Sequence, residues 1–165
     1  MKIKKFWAVL AAACLTLALL AGCGGGSSSA AAKSVDEVYA AVTQANAIDN
    51  PRELGDNDLM YDYLLSMDDI AEYKGVVSND SYNAGLVLVI RCAEGKAETV
   101  RAALEEYRQS WLTLSANYSD EYAEAVPHVE NGVLQASGDV VVMAWASNEC
   151  AAPDKLADAV AAALG

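Results

Sequence analysis

Leu86-Val87-Leu88-Val89-Ile90 is five apolar, mostly β-branched residues with no polar interruption. A run this short, bounded by turn residues, reads as a strand rather than a helix. Apolar character at odd and even positions alike implies cover on both faces, hence a central strand. The strand extends over 84–92. A second run of the same kind, Val140 to Ala146, reads the same way. These two strands set the expected core.

Each has a partner on its N-terminal side. Glu72 to Ser78 reads as a strand joined to 84–92 through Asn79-Asp80-Ser81, which is turn chemistry. Val129 to Ala136 reads as a strand, kinked at Asn131-Gly132, joined to 140–146 through Ser137-Gly138-Asp139. His128, the sole histidine, then falls at a strand start after Pro127. Between the hairpins, Val100, Leu104, Tyr107, Trp111, Leu114 and Tyr118 recur at helical spacing, predicting a helix from about Gly95 to Asn117. Pro153 and Asp154 open a last helix with Leu156, Val160 and Leu164 inward.

Two helices precede the sheet. Ser34-Val35-Asp36-Glu37 is a capping-box pattern, and Val35, Val38, Tyr39 and Val42 follow at helical spacing to about Ala47. Asp56-Asn57-Asp58 caps a short helix through Leu65, with Leu59, Met60, Tyr63 and Leu64 inward. The fold class is α+β: two N-terminal helices, then strand-strand-helix twice, around a four-stranded antiparallel sheet. Central placement of the apolar strands gives the order first, second, fourth, third.

The N-terminus is an address. Lys2, Lys4 and Lys5 precede an apolar run from Phe6 to Leu20, too short to span a bilayer at the ~20 residues a helix needs. Leu20-Ala21-Gly22-Cys23 closely resembles the lipobox of bacterial lipoproteins. That resemblance implies signal cleavage between Gly22 and Cys23 and a diacylglyceryl group on the Cys23 sulfur. Two acyl chains anchor stably where one does so only marginally. Residues 1–22 are thus the signal peptide and 23–33 the lipidated cysteine and its Gly/Ser tether, leaving 34–165 as one domain. The expected location is the outer face of the cell membrane.

Loss of the three signal lysines takes the net charge from −12 to −15. A polyanion does not neutralise phosphates, which excludes nucleic acid as a partner. It favours cationic partners instead. Of the remaining cysteines, Cys92 and Cys150 fall at opposite ends of antiparallel neighbours, roughly 23 Å apart for a seven-residue strand. Bridged cysteines need about 4.4–6.8 Å, so no disulfide is expected.

Chemistry is sparse. A lone histidine forms no metal cluster, and no G-x-S-x-G, Walker or dinucleotide pattern occurs. Asp56-Asn57-Asp58 with Asp62 looks like half a calcium loop, but Met60 and Tyr61 stand where oxygen and glycine are required, so a helix cap is the expectation. Asp68-Asp69 and Glu105-Glu106 are neighbours that point apart. Tyr107, Trp111, Tyr118 and Tyr122 suit either a sugar or peptide groove or, for the first three, the core. No catalytic, metal or cofactor residue is assigned.

Beyond the anchor, Met60-Tyr61 before Asp69-Ile70-Ala71-Glu72-Tyr73, the strand Leu86 to Arg91, the helix ending at Tyr118 and the hairpin at Gly138 resemble a family. It is the small Gram-positive lipoproteins carrying domain of unknown function four-three-five-eight. Asp139-Val140 departs from the aromatic those proteins tend to carry after the hairpin glycine. The resemblance implies fold and address, not activity. The expected function is a non-enzymatic, surface-tethered module for a protein or cell-wall partner, or an accessory subunit of an exporter or wall-synthesis complex. The alternative is a membrane-anchored cell-wall hydrolase using paired carboxylates, which needs two acids facing one cleft.

Overall fold

The computed structural model describes residues 33–165. The signal peptide, the cleavage point at Gly22, Cys23 and all of the tether but Lys33 lie outside the described residues. The architecture is a five-stranded antiparallel sheet with helices on both faces. In chain order the elements are α1 (Val35–Ala45), β1 (Pro51–Glu53), a π-helical turn (Asp58–Asp62), β2 (Ile70–Ser78) and β3 (Leu86–Cys92). Then follow α2 (Ala97–Ser115), α3 (Ala125–Glu130), β4 (Val133–Ser137), β5 (Val140–Trp145) and α4 (Leu156–Leu164). The sheet order is β1-β2-β3-β5-β4.

The expected order of four strands is present, with β3 and β5 at the centre. Their register pairs Leu86 with Trp145 at one end and Arg91 with Val140 at the other. Alternation along these strands sorts side chains by size. Leu86, Leu88, Ile90, Val141, Met143 and Trp145 face α2, α3 and the π turn. Val87, Val89, Val140, Val142 and Ala144 face α1 and α4. Every residue of β5 is buried, and all of β3 but Arg91. Both faces are therefore closed, and ligand access falls to the ends of the sheet.

α1 starts as its capping box dictates: the Ser34 hydroxyl accepts from the Glu37 N–H at 3.2 Å, and the Glu37 carboxylate accepts from the Ser34 N–H at 2.8 Å. Its far end is fixed by Asn46, which is fully buried. The Asn46 side-chain nitrogen donates to the Trp145 carbonyl at 2.8 Å, and its oxygen accepts from the Ser147 N–H at 3.0 Å. One carboxamide thus completes the β5 backbone where the ladder stops. Lys33, assigned to the tether, is joined to the domain: its carbonyl accepts from Arg91 Nη2 at 2.9 Å and its ammonium donates to the Ala162 carbonyl at 2.8 Å.

Four expectations are corrected. β1 was not expected, because Pro51-Arg52-Glu53 is wholly exposed and carries no apolar pattern. It is an edge strand with proline at its first residue, where no ladder donor is lost. The Asp56 to Leu65 helix is one π turn, and its extra residue carries the buried face from Leu64 to Leu65. Leu64 is instead 74% exposed, with φ +54°.

The strand expected from Val129 starts at Val133, because 125–130 is helical. Pro127 fits there, since the first turn of a helix has no intrahelical partner for its N–H groups, and Ala125 and Val129 bury one face. His128 accordingly lies in a helix rather than at a strand start. Finally, Leu114 and Tyr118 are exposed. The inner stripe of α2 steps from Trp111 to Ser115, which is buried.

Cys92 and Cys150 are both buried and both free. They lie on opposite faces: Cys92 packs on the α2 side, Cys150 on the α1/α4 side.

Candidate functional site

The open end of the sheet is the one where Leu86 pairs with Trp145. Three segments meet there: the β2–β3 turn, the stretch before and into α3, and the chain leaving β5. They enclose a trough of about 580 Å³ lined by Asp80, Tyr82, Asp120, Glu121, Glu124 and Glu149, among others. No lysine or arginine lines it, and none of its five carboxylates belongs to an ion pair among the described residues.

Amides organise the trough instead. Asn83 Nδ2 donates to Glu149 at 3.0 Å, Asn50 Nδ2 to Asp80 at 3.1 Å, and Asn148 Nδ2 to Glu124 at 3.4 Å. Asn83 Oδ1 accepts from the Gly85 N–H at 2.9 Å, tying the turn to the start of β3. Neutral donors orient these carboxylates but cancel none of their charge. The trough therefore attracts cations.

An aromatic run ends at its wall. Tyr63 meets Tyr107 at 4.4 Å between ring centroids, Tyr107 stacks on Trp145 at 5.6 Å, and Trp145 meets Trp111 at 5.7 Å. Trp111 meets Tyr122 at 5.5 Å, and Tyr122 meets the half-exposed Tyr82 at 5.4 Å. Tyr107 and Trp111 thus belong to the core, as does most of Tyr122. Tyr118 lies exposed outside the run. Burial pushes the Tyr63 and Tyr107 phenols up, so they remain protonated structural groups.

A second cleft, of about 510 Å³, opens between α3 and the start of α4. Pro127, His128, Ala146, Pro153, Leu156 and Ala157 give it a mainly apolar lining, with Asn131 and Asp154 at its margin. The two clefts share a wall. Glu124 lines the trough and Pro127 the cleft, three residues on; Ala146 lines the cleft and Asn148 the trough, two residues on.

The other residues singled out from the sequence are structural. Asp58 does not cap the π turn ahead of it; its carboxylate accepts from the Gly55 N–H at 2.7 Å and pairs with Arg52 at 2.8 Å. That backbone hydrogen bond, aided by Arg52, holds Asp58 below the usual carboxylate range. Asp56 accepts from the Tyr73 hydroxyl at 2.6 Å, and burial together with Asp56 pushes that phenol up to about 12. Asp69 pairs with Lys96 at 2.7 Å and Glu105 with Arg108 at 2.8 Å. Among the described residues, no three His, Cys, Asp or Glu side chains are placed to hold a metal ion. No described helix is long and apolar enough to cross a membrane.

Residues 44–146 match the family described as Domain of unknown function (DUF4358). The chain belongs to that family. The DUF4358 match covers all five strands, α2 and α3, starting two residues before Asn46 and ending where β5 has just closed. It stops short of α4. The acidic trough lies within the DUF4358 segment except for its 148–149 wall, and the apolar cleft straddles the boundary. No curated protein and no solved structure is matched by the chain.

The trough was only partly legible. Asp80 belongs to the Asn79-Asp80-Ser81 turn, Asp120, Glu121 and Glu124 cluster between the helix ending near Asn117 and His128, and Glu149 carries no signal of its own. Acid density in two loops was visible in the sequence. Their convergence depends on strand order.

Proposed function

We propose that this DUF4358 protein is a lipid-tethered, non-enzymatic binding module at the outer face of the cytoplasmic membrane, engaging a cationic partner through its acidic pole. The observation that carries the reading is the opposition of two sites. Lys33, where the chain enters the domain, is held by Arg91 at one end of β3. The unneutralised trough lies past the other end, beyond Leu86. A strand of that length sets them roughly 20 Å apart. A domain held at Lys33 leaves its acidic pole free for a partner.

None of the displaced carboxyls among the described residues is the acid a hydrolase needs. A glycosidase acid must hold its proton near neutral pH, which requires a raised pKa. The carboxyls displaced in this protein, Glu37, Asp58, Glu98 and Glu105, all move down, each first by a hydrogen bond to its charged form.

Cross-linking in intact cells followed by purification from membranes tests the reading. A partner lost when Glu121 and Glu124 are both changed to Lys supports it. Release of reducing ends from cell-wall polysaccharide by the purified chain would replace it with the hydrolase.

A further inference from the structure

Resting on that reading, we propose that the α3/α4 cleft is a docking surface for a short basic polypeptide segment, one apolar side chain entering the cleft and flanking Lys or Arg residues lying over the adjoining carboxylates. The cleft is the primary feature. Its lining is apolar on both sides: Pro127 from α3, Pro153 from the 3-10 turn ahead of α4, Leu156 and Ala157 from the start of α4, and Ala146 from the chain just past β5. Pro127 and His128 of α3 and Leu156 and Ala157 of α4 form facing walls, joined by the short turn at Pro153 and the chain just past β5.

Charge at the margin selects the occupant. Asp154 in the lining has Lys155 beside it at 3.8 Å, so the uncompensated charge is that of Glu124, Glu121 and Glu149 in the adjoining trough, which no lysine or arginine lines. An acidic or neutral apolar segment would meet uncompensated repulsion or gain nothing from these groups. A segment with an apolar residue between cations satisfies both halves at once. The partner's backbone must cross the wall formed by Asn148 and Glu124, where Asn148 Nδ2 donates to Glu124 at 3.4 Å. That bond is long enough to yield to a competing cation.

The test uses the full chain in non-ionic detergent and a fluorescein-labelled peptide of lysines around one central leucine, read by anisotropy. Replacing the leucine with serine is expected to weaken binding by about tenfold or more, the worth of one buried aliphatic side chain. Ala157→Trp, which fills the cleft from an exposed helical position, is expected to do the same. Glu124→Gln with Asp154→Asn should weaken binding and flatten its salt dependence. Asp68→Asn with Glu94→Gln removes the same charge near the opposite end of the sheet and should leave binding within about twofold.

If Ala157→Trp binds like the wild type, or the two charge pairs act alike, binding is non-specific charge attraction and the proposal is overturned. Loss of the membrane anchor would leave all of these results unchanged. The tether and the docking surface therefore fail separately.

Discussion

The side-chain nitrogen of Asn46 donates to the main-chain carbonyl of Trp145 at 2.8 Å, so the end of the first helix is stitched to the end of a central strand 99 residues later. The same carboxamide reaches the Leu86 carbonyl at 3.4 Å and accepts from the Ser147 N–H. It thereby holds together the α1 layer, both central strands and the loop that walls the acidic trough.

Asn46→Ala strips buried backbone groups of their partner. A loss of about 2–3 kcal/mol in urea unfolding is expected, the desolvation cost of one to two unsatisfied polar groups. Asn46→Asp should be worse at neutral pH, because its carboxylate would face two carbonyls. It should recover partly in acid, where the protonated carboxyl can donate again. Equal effects of the two substitutions at all pH values would refute this role.

Gly132 and Gly138 separate two uses of glycine. A Cβ on Gly132 would collide with the Trp145 ring, whereas on Gly138 it meets nothing within 4 Å. Gly138 is needed for its φ of +60° in the β4–β5 turn. Gly132→Ala should cost about 2 kcal/mol or more through overpacking and should change the near-ultraviolet tryptophan signal. Gly138→Ala should cost about 1–2 kcal/mol through strain alone and leave that signal intact.

Asp58 makes part of the stability depend on pH. Its folded pKa lies below the ordinary value, through the Gly55 N–H first and then Arg52. The unfolded chain therefore binds the proton more tightly. The contribution is fully present above the unfolded aspartate value, near ~3.9, and is lost progressively as pH falls through the folded one. Asp58→Asn should flatten the acid limb of a stability–pH curve below about pH 4 and leave its shape above about pH 5 unchanged.

Cys92 and Cys150 should both be silent to alkylating reagents in the native state at neutral pH. Burial first, then the Asp139 and Asp69 carboxylates, push the Cys92 thiol up to about 11, and only thiolate reacts. Cys150 is buried, with its sulfur 3.6 Å from the Ala45 carbonyl. Unfolding in denaturant should release two reactive thiols beyond any at Cys23. A pair that stays unreactive after unfolding would mean a bridge across the sheet.

The fold was legible where burial is strong. The apolar runs of β3 and β5 announced central strands, and hairpin turns at 79–81 and 137–139 fixed their neighbours, so the four-strand order followed. Legibility failed where burial is weak or local geometry is unusual. β1 buries nothing, the π turn shifts the face by one residue, and α3 is short and contains Pro127, which argues against a helix in the sequence. Cysteine separation was read from strand polarity, and the structure adds that the two thiols face opposite layers. Of the acidic trough only the acid density was visible, and the apolar cleft was out of reach, because the loops of the one and the helix ends of the other meet only on the completed sheet.

The proposed function requires a lipid on Cys23 to hold this domain at the membrane. Mass analysis of the mature N-terminus, with fractionation of the wild type beside Cys23→Ser, tests it directly. A lipid-anchored protein begins at a diacylglyceryl-modified Cys23 and stays in the membrane fraction, and its variant is released or left unprocessed. A mature chain with an unmodified Cys23, or a Cys23→Ser variant of unchanged processing and membrane yield, would contradict it.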